Sequence, residues 1–157
     1  MYSASVSSRR GFSLIELVIV VVIIGIIGAI AIPRMGSGVE KAGDSALSAN
    51  LAVLRSAIDL YSTEHSGSFP AASTIVDQLT MYSDDAGAAV ATKDSTHIFG
   101  PYLRSVPPLP VGAKKGATGI AAADGATIGW IYTESTGEIR ANTTTEEDAR
   151  GNLYSDY

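Results

Sequence analysis

The chain has 157 residues, a net charge of −5 and no cysteine. This length suits one modest domain, and an acidic balance without basic clusters argues against nucleic acid as the main partner. Without cysteine, a domain outside the cytoplasm must hold together without disulfide bonds.

The chain begins with a polar, serine-rich stretch, residues 1–11, that ends in two arginines and a glycine. An apolar run follows, and residues 17–32 are all Leu, Val, Ile, Ala or Gly. Counted from Phe12, the segment is about 32 Å long at ~1.5 Å per residue, which is enough to cross the hydrocarbon core of a bilayer. Because a strand exposed to lipid cannot satisfy its backbone groups, we predict a transmembrane helix over residues 12–33.

One acid, Glu16, lies at the leading edge of this run, after Arg9 and Arg10. The aliphatic side chains each favour insertion by roughly 0.3–0.6 kcal/mol, and together they outweigh the roughly 3 kcal/mol cost of a carboxylate in mid-membrane. The arginines hold the start of the helix in the cytoplasm, which places the rest of the chain outside. A cleaved secretory signal would instead have a shorter apolar core with a small-residue cleavage site after it.

The sequence Arg-Arg-Gly11, then Phe-Ser-Leu-Ile-Glu16 and the apolar run, resembles the class III signal of type IV pilins and type II secretion pseudopilins. The resemblance implies that prepilin peptidase removes residues 1–11, that Phe12 is N-methylated and that the apolar helix is kept. It also implies that Glu16 pairs with the Phe12 amine of a neighbouring subunit. The alternative is an acid that is neutralised by protonation or by its own amine. Many pilins of the family carry a C-terminal disulfide loop, so the lack of cysteine favours the pseudopilin branch.

Gly25 and Pro33 punctuate the apolar helix. Proline lacks an N–H and crowds the preceding turn, so we expect a kink or loosening at Pro33. In filaments of the family the corresponding stretch can unwind, although lipid-embedded helices also tolerate glycine and proline in place.

The rest of the chain, residues 34–157, is predicted to form a globular head. An amphipathic helix continues to about residue 65, because apolar residues recur three and four apart. A shorter helix is expected over residues 73–83, and a loop follows it. The apolar stripe of the long helix consists of Leu47, Leu51, Leu54, Ile58 and Tyr61, with Val53, Ala57 and Leu60 alongside.

A proline-rich segment, residues 100–110, is expected to run extended along the surface of the head. Its Tyr102, Leu103 and Pro107 look like the "YL…P" segment of major pseudopilins, although the tryptophan-glycine-asparagine-proline sequence that usually follows is missing. A weak strand is expected over residues 116–122.

Alternating large residues predict a β-hairpin over residues 127–142, followed by a polar tail that is a loop or loosely docked. The predicted fold is therefore α+β and pilin-like. It consists of a long, kinked N-terminal helix packed on a small C-terminal antiparallel sheet.

No motif for catalysis, nucleotide binding or a resident cofactor is present in the sequence, so we do not expect an enzyme. His65 and His97 lack metal-ligand spacing and are expected to face solvent. Major pseudopilins commonly hold calcium in their C-terminal loop, and carboxylate oxygens suit that ion. The candidate ligands, for which a solvated acidic tail is the alternative, are Asp124, Glu146, Glu147, Asp148 and Asp156.

The expected function is that of a filament subunit, the major pseudopilin of a type II secretion system, with a type IV or competence pilin as the alternative. A more distant alternative is a single-span, membrane-anchored binding protein that acts as a monomer. The expected partners are further copies of the chain, prepilin peptidase, an inner-membrane assembly platform and minor pseudopilins. The expected location is the inner membrane, with the head outside the cytoplasm, and then a periplasmic or extracellular filament.

Overall fold

In the computed structural model residues 12–148 and 150–157 are described, apart from the side chains of residues 30–40. The chain divides into two units, residues 1–38 and residues 39–157. One helix, α1, spans Leu14–Glu64 and contributes to both units. Its bounds correspond to the long helix expected from the sequence.

The second half of α1 supplies one side of the core of the head. All five residues of the predicted stripe are buried, and Leu51 and Leu54 are exposed by 1% and 0%. Val53 and Leu60, which flank the stripe, are instead exposed by 51% and 50%. The buried face of α1 is therefore narrower than the sequence pattern indicates.

The second helix, α2, spans Ile75–Thr80 and is shorter than the helix expected over residues 73–83. The chain passes from α2 into a short strand, β1, Tyr82–Ser83, which pairs antiparallel with β2, Ala89–Val90. The strand β1 also exchanges two backbone hydrogen bonds of 3.1 Å with Phe99. The helix ends early because the backbone of the segment that follows it forms hydrogen bonds with these more distant residues instead of continuing the helix.

A three-stranded sheet has the order β3-β4-β5, formed by Gly119–Ala121, Ile128–Thr133 and Glu138–Ala141. The hairpin β4–β5 is antiparallel and lies within the predicted range, but β3 runs parallel to β4. The sheet is therefore mixed rather than wholly antiparallel as expected. Because β3 is only three residues long, the loop of residues 122–127 suffices to bring the chain back beside it.

The sheet shares one hydrophobic core with α1 and with the proline-rich segment. Trp130 is fully buried, and its Nε1 donates to the carbonyl oxygen of Pro107 at 2.9 Å. Leu103 and Leu109 of the proline-rich segment are also buried. This segment therefore runs along the surface of the head as expected, with Pro101, Arg104 and Pro108 exposed, and it buries its apolar side chains in the core.

The C-terminal segment, residues 143–157, is docked more firmly than the sequence indicates. It ends in a 3₁₀ helix, Tyr154–Asp156. The Tyr154 side chain is buried in the core, and its hydroxyl donates to Asp44 Oδ1 on α1 at 2.9 Å. The helix and sheet content of the described chain confirms the predicted α+β, pilin-like fold.

Candidate functional site

The part of α1 in the first unit presents a continuous apolar surface. Between Phe12 and Ile27 every large apolar side chain is exposed, from 44% at Val18 to 81% at Leu14. An exposed apolar surface of this extent marks a contact with protein or lipid. Measured over the described residues, none of the helices combines the length and hydropathy needed to traverse a bilayer.

Glu16 caps the N-terminal end of α1. Ser13 immediately precedes the helix, and its backbone N–H donates to Glu16 Oε2 at 3.0 Å. The spacing is that of a capping box, in which an acid three positions after the cap satisfies an N–H that the helix leaves unpaired. Glu16 thus has a role within its own chain that the family resemblance alone does not predict, although the S-x-x-E spacing is visible in the sequence.

The other predicted processing and flexibility residues are described to different extents. Gly11 lies outside the described residues, whereas Phe12 is 79% exposed. Gly25 lies in α1, and a Cβ placed on it would meet no described atom within 4 Å beyond the adjacent backbone of the helix. The bounds of α1 continue through Gly25 and Pro33. Unwinding between these two residues stays a prediction.

His65 does not face solvent as expected, because it is only 4% exposed. Its ring stacks on Tyr61 with centroids 3.8 Å apart. Its Nδ1 lies 2.9 Å from the carbonyl oxygen of Tyr61, and its Nε2 lies 3.0 Å from that of Asp84. The sequence could not show this, since Asp84 is brought to the end of α1 only by the fold. His65 therefore holds the end of α1 against the turn after β1.

His97 is also more enclosed than expected, with 17% of its side chain exposed. Its Nδ1 lies 2.8 Å from Asp94 Oδ2, and its backbone N–H donates to Asp94 Oδ1 at 2.8 Å. Backbone hydrogen bonds from His97 and Thr96 hold the pKa of Asp94 well below its ordinary value. This arrangement orders a loop at the surface of the head.

The structure does not gather the candidate calcium ligands into one site. Glu146 accepts the backbone N–H groups of Ala113 and Thr144, each at 3.0 Å. Asp124 instead accepts the Asn142 side-chain amide at 2.8 Å and the Lys114 ammonium. Asp148, Glu147 and Asp156 lie in the C-terminal segment, where Asp148 is buried.

Within residues 12–148 and 150–157, no three His, Cys, Asp or Glu side chains form a group that could hold a metal ion. Thr143 Oγ1 is buried without a hydrogen-bond partner there, but calcium takes six to eight oxygen ligands and one hydroxyl falls far short of that. The carboxylates of the described residues therefore do not form a calcium site by themselves.

A polar cleft of about 670 Å³ lies between α1 and the C-terminal segment. Its carboxylates, Asp44 and Asp148, accept the hydroxyls of Tyr154 and Tyr157 at 2.9 and 2.5 Å. These contacts hold the C-terminal segment in place. The full lining consists of Lys41, Asp44, Ser45, Ser48, Asp148, Arg150 and Tyr157.

Comparisons with known proteins show what the chain is similar to. Residues 6–32 match the family model described as a prokaryotic N-terminal methylation motif. The type II secretion system core protein G of Klebsiella michiganensis is 34% identical over 59 residues, which cover 38% of this chain and 42% of that protein. The type IV narrow pilus major component PilA5 of Thermus thermophilus is 43% identical over 58 residues, which cover 37% of this chain and 50% of that protein.

A longer match is to the core protein G of Aeromonas hydrophila, 26% identical over 104 residues, which cover 66% of this chain and 68% of that protein. The chain spans only 42% and 41% of the lengths of the two Klebsiella relatives that it matches. No solved structure matches the chain. The methylation motif together with relatives of both names confirms the predicted resemblance to the type IV pilin-like family.

Proposed function

We propose that the chain is a structural subunit of a type IV pilus-like filament, the major pseudopilin of a type II secretion system, and that it is not an enzyme. The observation that carries this proposal is the exposed apolar surface between Phe12 and Ile27, most of which belongs to α1. This surface contributes nothing to the core of the head, so it is available to lipid before assembly and to neighbouring subunits afterwards. The methylation motif over residues 6–32 supports the same function.

In this proposal prepilin peptidase cuts after Gly11 and leaves a basic amine on Phe12. Glu16 lies about one helical turn further on, in apolar surroundings. An isolated charge there is costly, and pairing of the Glu16 carboxylate with the Phe12 amine of the preceding subunit recovers much of that cost. The bond from Ser13 N–H engages one Glu16 oxygen, and a carboxylate can accept about four hydrogen bonds, so both roles are compatible.

Packing of the apolar helices then gives the filament its specificity. Transfer from lipid into a bundle of similar helices gains little from hydrophobicity, so close packing must contribute. Gly25 and Gly28 contribute to close packing, because beyond the adjacent backbone of α1 no described atom lies within 4 Å of a Cβ placed on either. This leaves room for a neighbouring helix to approach. The partners of the subunit are then further copies of itself, minor pseudopilins and an inner-membrane assembly platform.

The proposed location follows from the two arginines before the apolar run and from the direction of α1. The unassembled subunit lies in the inner membrane with its head outside the cytoplasm, and the assembled filament is periplasmic or extracellular. The energy for extraction from the membrane comes from a separate ATPase of the secretion system.

The test is Glu16→Gln in cells that assemble the filament. We expect normal processing, with a mass for the mature chain that begins at a methylated Phe12, and a loss of sheared filaments to background. Asp59→Asn is the matched control, because Asp59 is exposed on the head part of α1, and it should leave both processing and assembly unchanged. Normal filaments from Glu16→Gln would refute the pairing, and a purified protein that still begins at Met1 would refute the subunit function.

A type IV pilin is the second candidate, favoured by the 43% identity to a pilus major component of Thermus thermophilus. Deletion of the chain separates the two functions. Loss of secreted enzymes from the medium supports the secretion pseudopilin, whereas loss of surface pili or DNA uptake with normal secretion supports the pilin. A membrane-anchored monomer is a third possibility, and it predicts no filaments even when processing is normal.

A further inference from the structure

The C-terminal segment is held by one buried carboxylate, that of Asp148, which is 8% exposed. Asp148 Oδ1 accepts the backbone N–H groups of Arg150 and Asn152, each at 2.8 Å. Asp148 Oδ2 accepts the side-chain amide of Asn152 at 3.0 Å and the hydroxyl of Tyr157 at 2.5 Å. We call Asp148 and these four donors the Asp148 cluster.

The cluster leaves no position for a cation. A carboxylate has about four lone-pair positions, and four donors occupy those of Asp148. A calcium ion at 2.3–2.6 Å from these oxygens would have to displace donors that the segment itself provides.

Two hydrogen bonds outside the cluster connect the segment to α1. The carbonyl oxygen of Tyr157 accepts the Arg55 guanidinium, and the Tyr154 hydroxyl donates to Asp44. The rings of Tyr154 and Tyr157 lie 6.1 Å apart. Hydrogen bonds to side chains of α1 thus attach the segment to this helix at both aromatic residues of the segment.

We infer that Asp148 is the positioning residue that closes the C-terminal segment onto α1, and that this closure needs no bound divalent cation. A hydrogen-bonded carboxylate takes the place of the calcium ion that the family resemblance implies. The inference does not depend on the proposed filament function, because it concerns the stability of the head alone.

The test is thermal unfolding of the full chain in detergent, followed by the fluorescence of Trp130, with either millimolar calcium or excess EDTA. We expect the wild type to unfold at the same temperature in both solutions. Asp148→Asn should lower that temperature by several degrees in both, because it places an amide donor opposite the Asn152 amide. Glu147→Gln, the same change at the exposed preceding residue, should leave it unchanged.

Tyr157→Phe keeps the ring and removes a single donor, so it should give a smaller fall and serves if Asp148→Asn does not fold. If calcium raises the unfolding temperature of the wild type but not that of Asp148→Asn, Asp148 is a calcium ligand and the inference is overturned. If calcium still raises the unfolding temperature of Asp148→Asn, or of Tyr157→Phe when only that variant folds, the inference is also overturned, because a cation then stabilises the head at another position. Unfolding temperatures equal to that of the wild type in both Asp148→Asn and Tyr157→Phe would show that Asp148 does not position the segment. Filament yield from the same variants reports separately on the proposed function.

Discussion

Gly87 shows how a single residue fixes the contact between the turn after β1 and the end of α1. It is buried and has a φ of +81°, in the region that favours glycine. Its carbonyl oxygen accepts the Gln78 side-chain amide at 2.9 Å. A Cβ at this position would overlap the hydroxyl of Tyr61 and lie 2.7 Å from Gln78 Nε2. The turn therefore requires glycine for both its conformation and its packing.

Gly87→Ala should destabilise the head more than Gly67→Ala does. Gly67 also has a positive φ, of +87°, but its Cβ would meet nothing within 4 Å. The conformational cost, about 1–2 kcal/mol, is common to both variants. Overpacking against Tyr61 and Gln78 adds about 1–3 kcal/mol at Gly87 alone. Urea denaturation of the two variants measures the difference, and equal losses would show that the neighbours of Gly87 relax without cost.

At the scale of residues, the sequence predicts roles that depend on local spacing. The motif around Glu16 is one of these, because its glycine, aromatic residue, acid and apolar run are all close in sequence. The role of Asp148 is not predicted, although its four donors lie within nine residues of it along the chain. The role of His65 is not predicted either, since it depends on a partner that the fold brings close. For His65 the partner is 19 residues away at Asp84.

At the scale of elements, α1 carries the organisation of the head. Its buried stripe packs against the sheet and the proline-rich segment, and its flanks at Val53 and Leu60 remain about half exposed. Two apolar side chains only two positions apart, Leu51 and Val53, therefore lie in opposite environments. The difference between them gives a direct test of which face of α1 holds the head together.

Leu51→Ala should cost about 2–5 kcal/mol of unfolding free energy, because it removes a side chain that is 1% exposed and leaves a cavity. Val53→Ala is the matched control on the same helix. It should change stability by no more than about 0.5 kcal/mol, since this side chain is half exposed and alanine favours the helix. Chemical denaturation of the full chain in detergent compares them. A loss at Val53 equal to that at Leu51 would mean that the flank is covered in solution.

Elements whose signal is local could be predicted, and elements that depend on distant pairing could not. Periodicity of three and four locates the second half of α1, and alternation over residues 128–133 locates the hairpin. Nothing local marks the pairing of β1 with β2 or the parallel course of β3, because these strands are two or three residues long. The docking of the C-terminal segment depends on a contact between Tyr154 and Asp44, 110 residues apart.

At the scale of the whole molecule, the hydrogen bonds of carboxylates and tyrosines predict a stability that depends on pH. Backbone hydrogen bonds from Ala113 and Thr144 lower the pKa of Glu146, and the Tyr157 hydroxyl contributes most to lowering that of Asp148. In return, the bond to Asp148 raises the pKa of Tyr157 to about 12. Burial and the bond to Asp44 raise that of Tyr154 to about 12 as well. The bond between Asp148 and Tyr157 is thus sensitive to pH at both extremes.

The head should therefore lose stability at both ends of the pH range. The contribution of Asp148 is fully present above its ordinary pKa of 3.8 and is lost as the pH falls below that value. The contribution of Tyr157 is fully present below its ordinary pKa of 10.0 and is lost as the pH rises through about 12. Because one bond joins the two groups, Asp148→Asn should reduce the loss at both ends, while Glu147→Gln should follow the wild type. Denaturation midpoints across pH, followed by Trp130 fluorescence, measure this. A curve for Asp148→Asn that runs parallel to the wild type at both extremes would mean that other groups control the pH dependence.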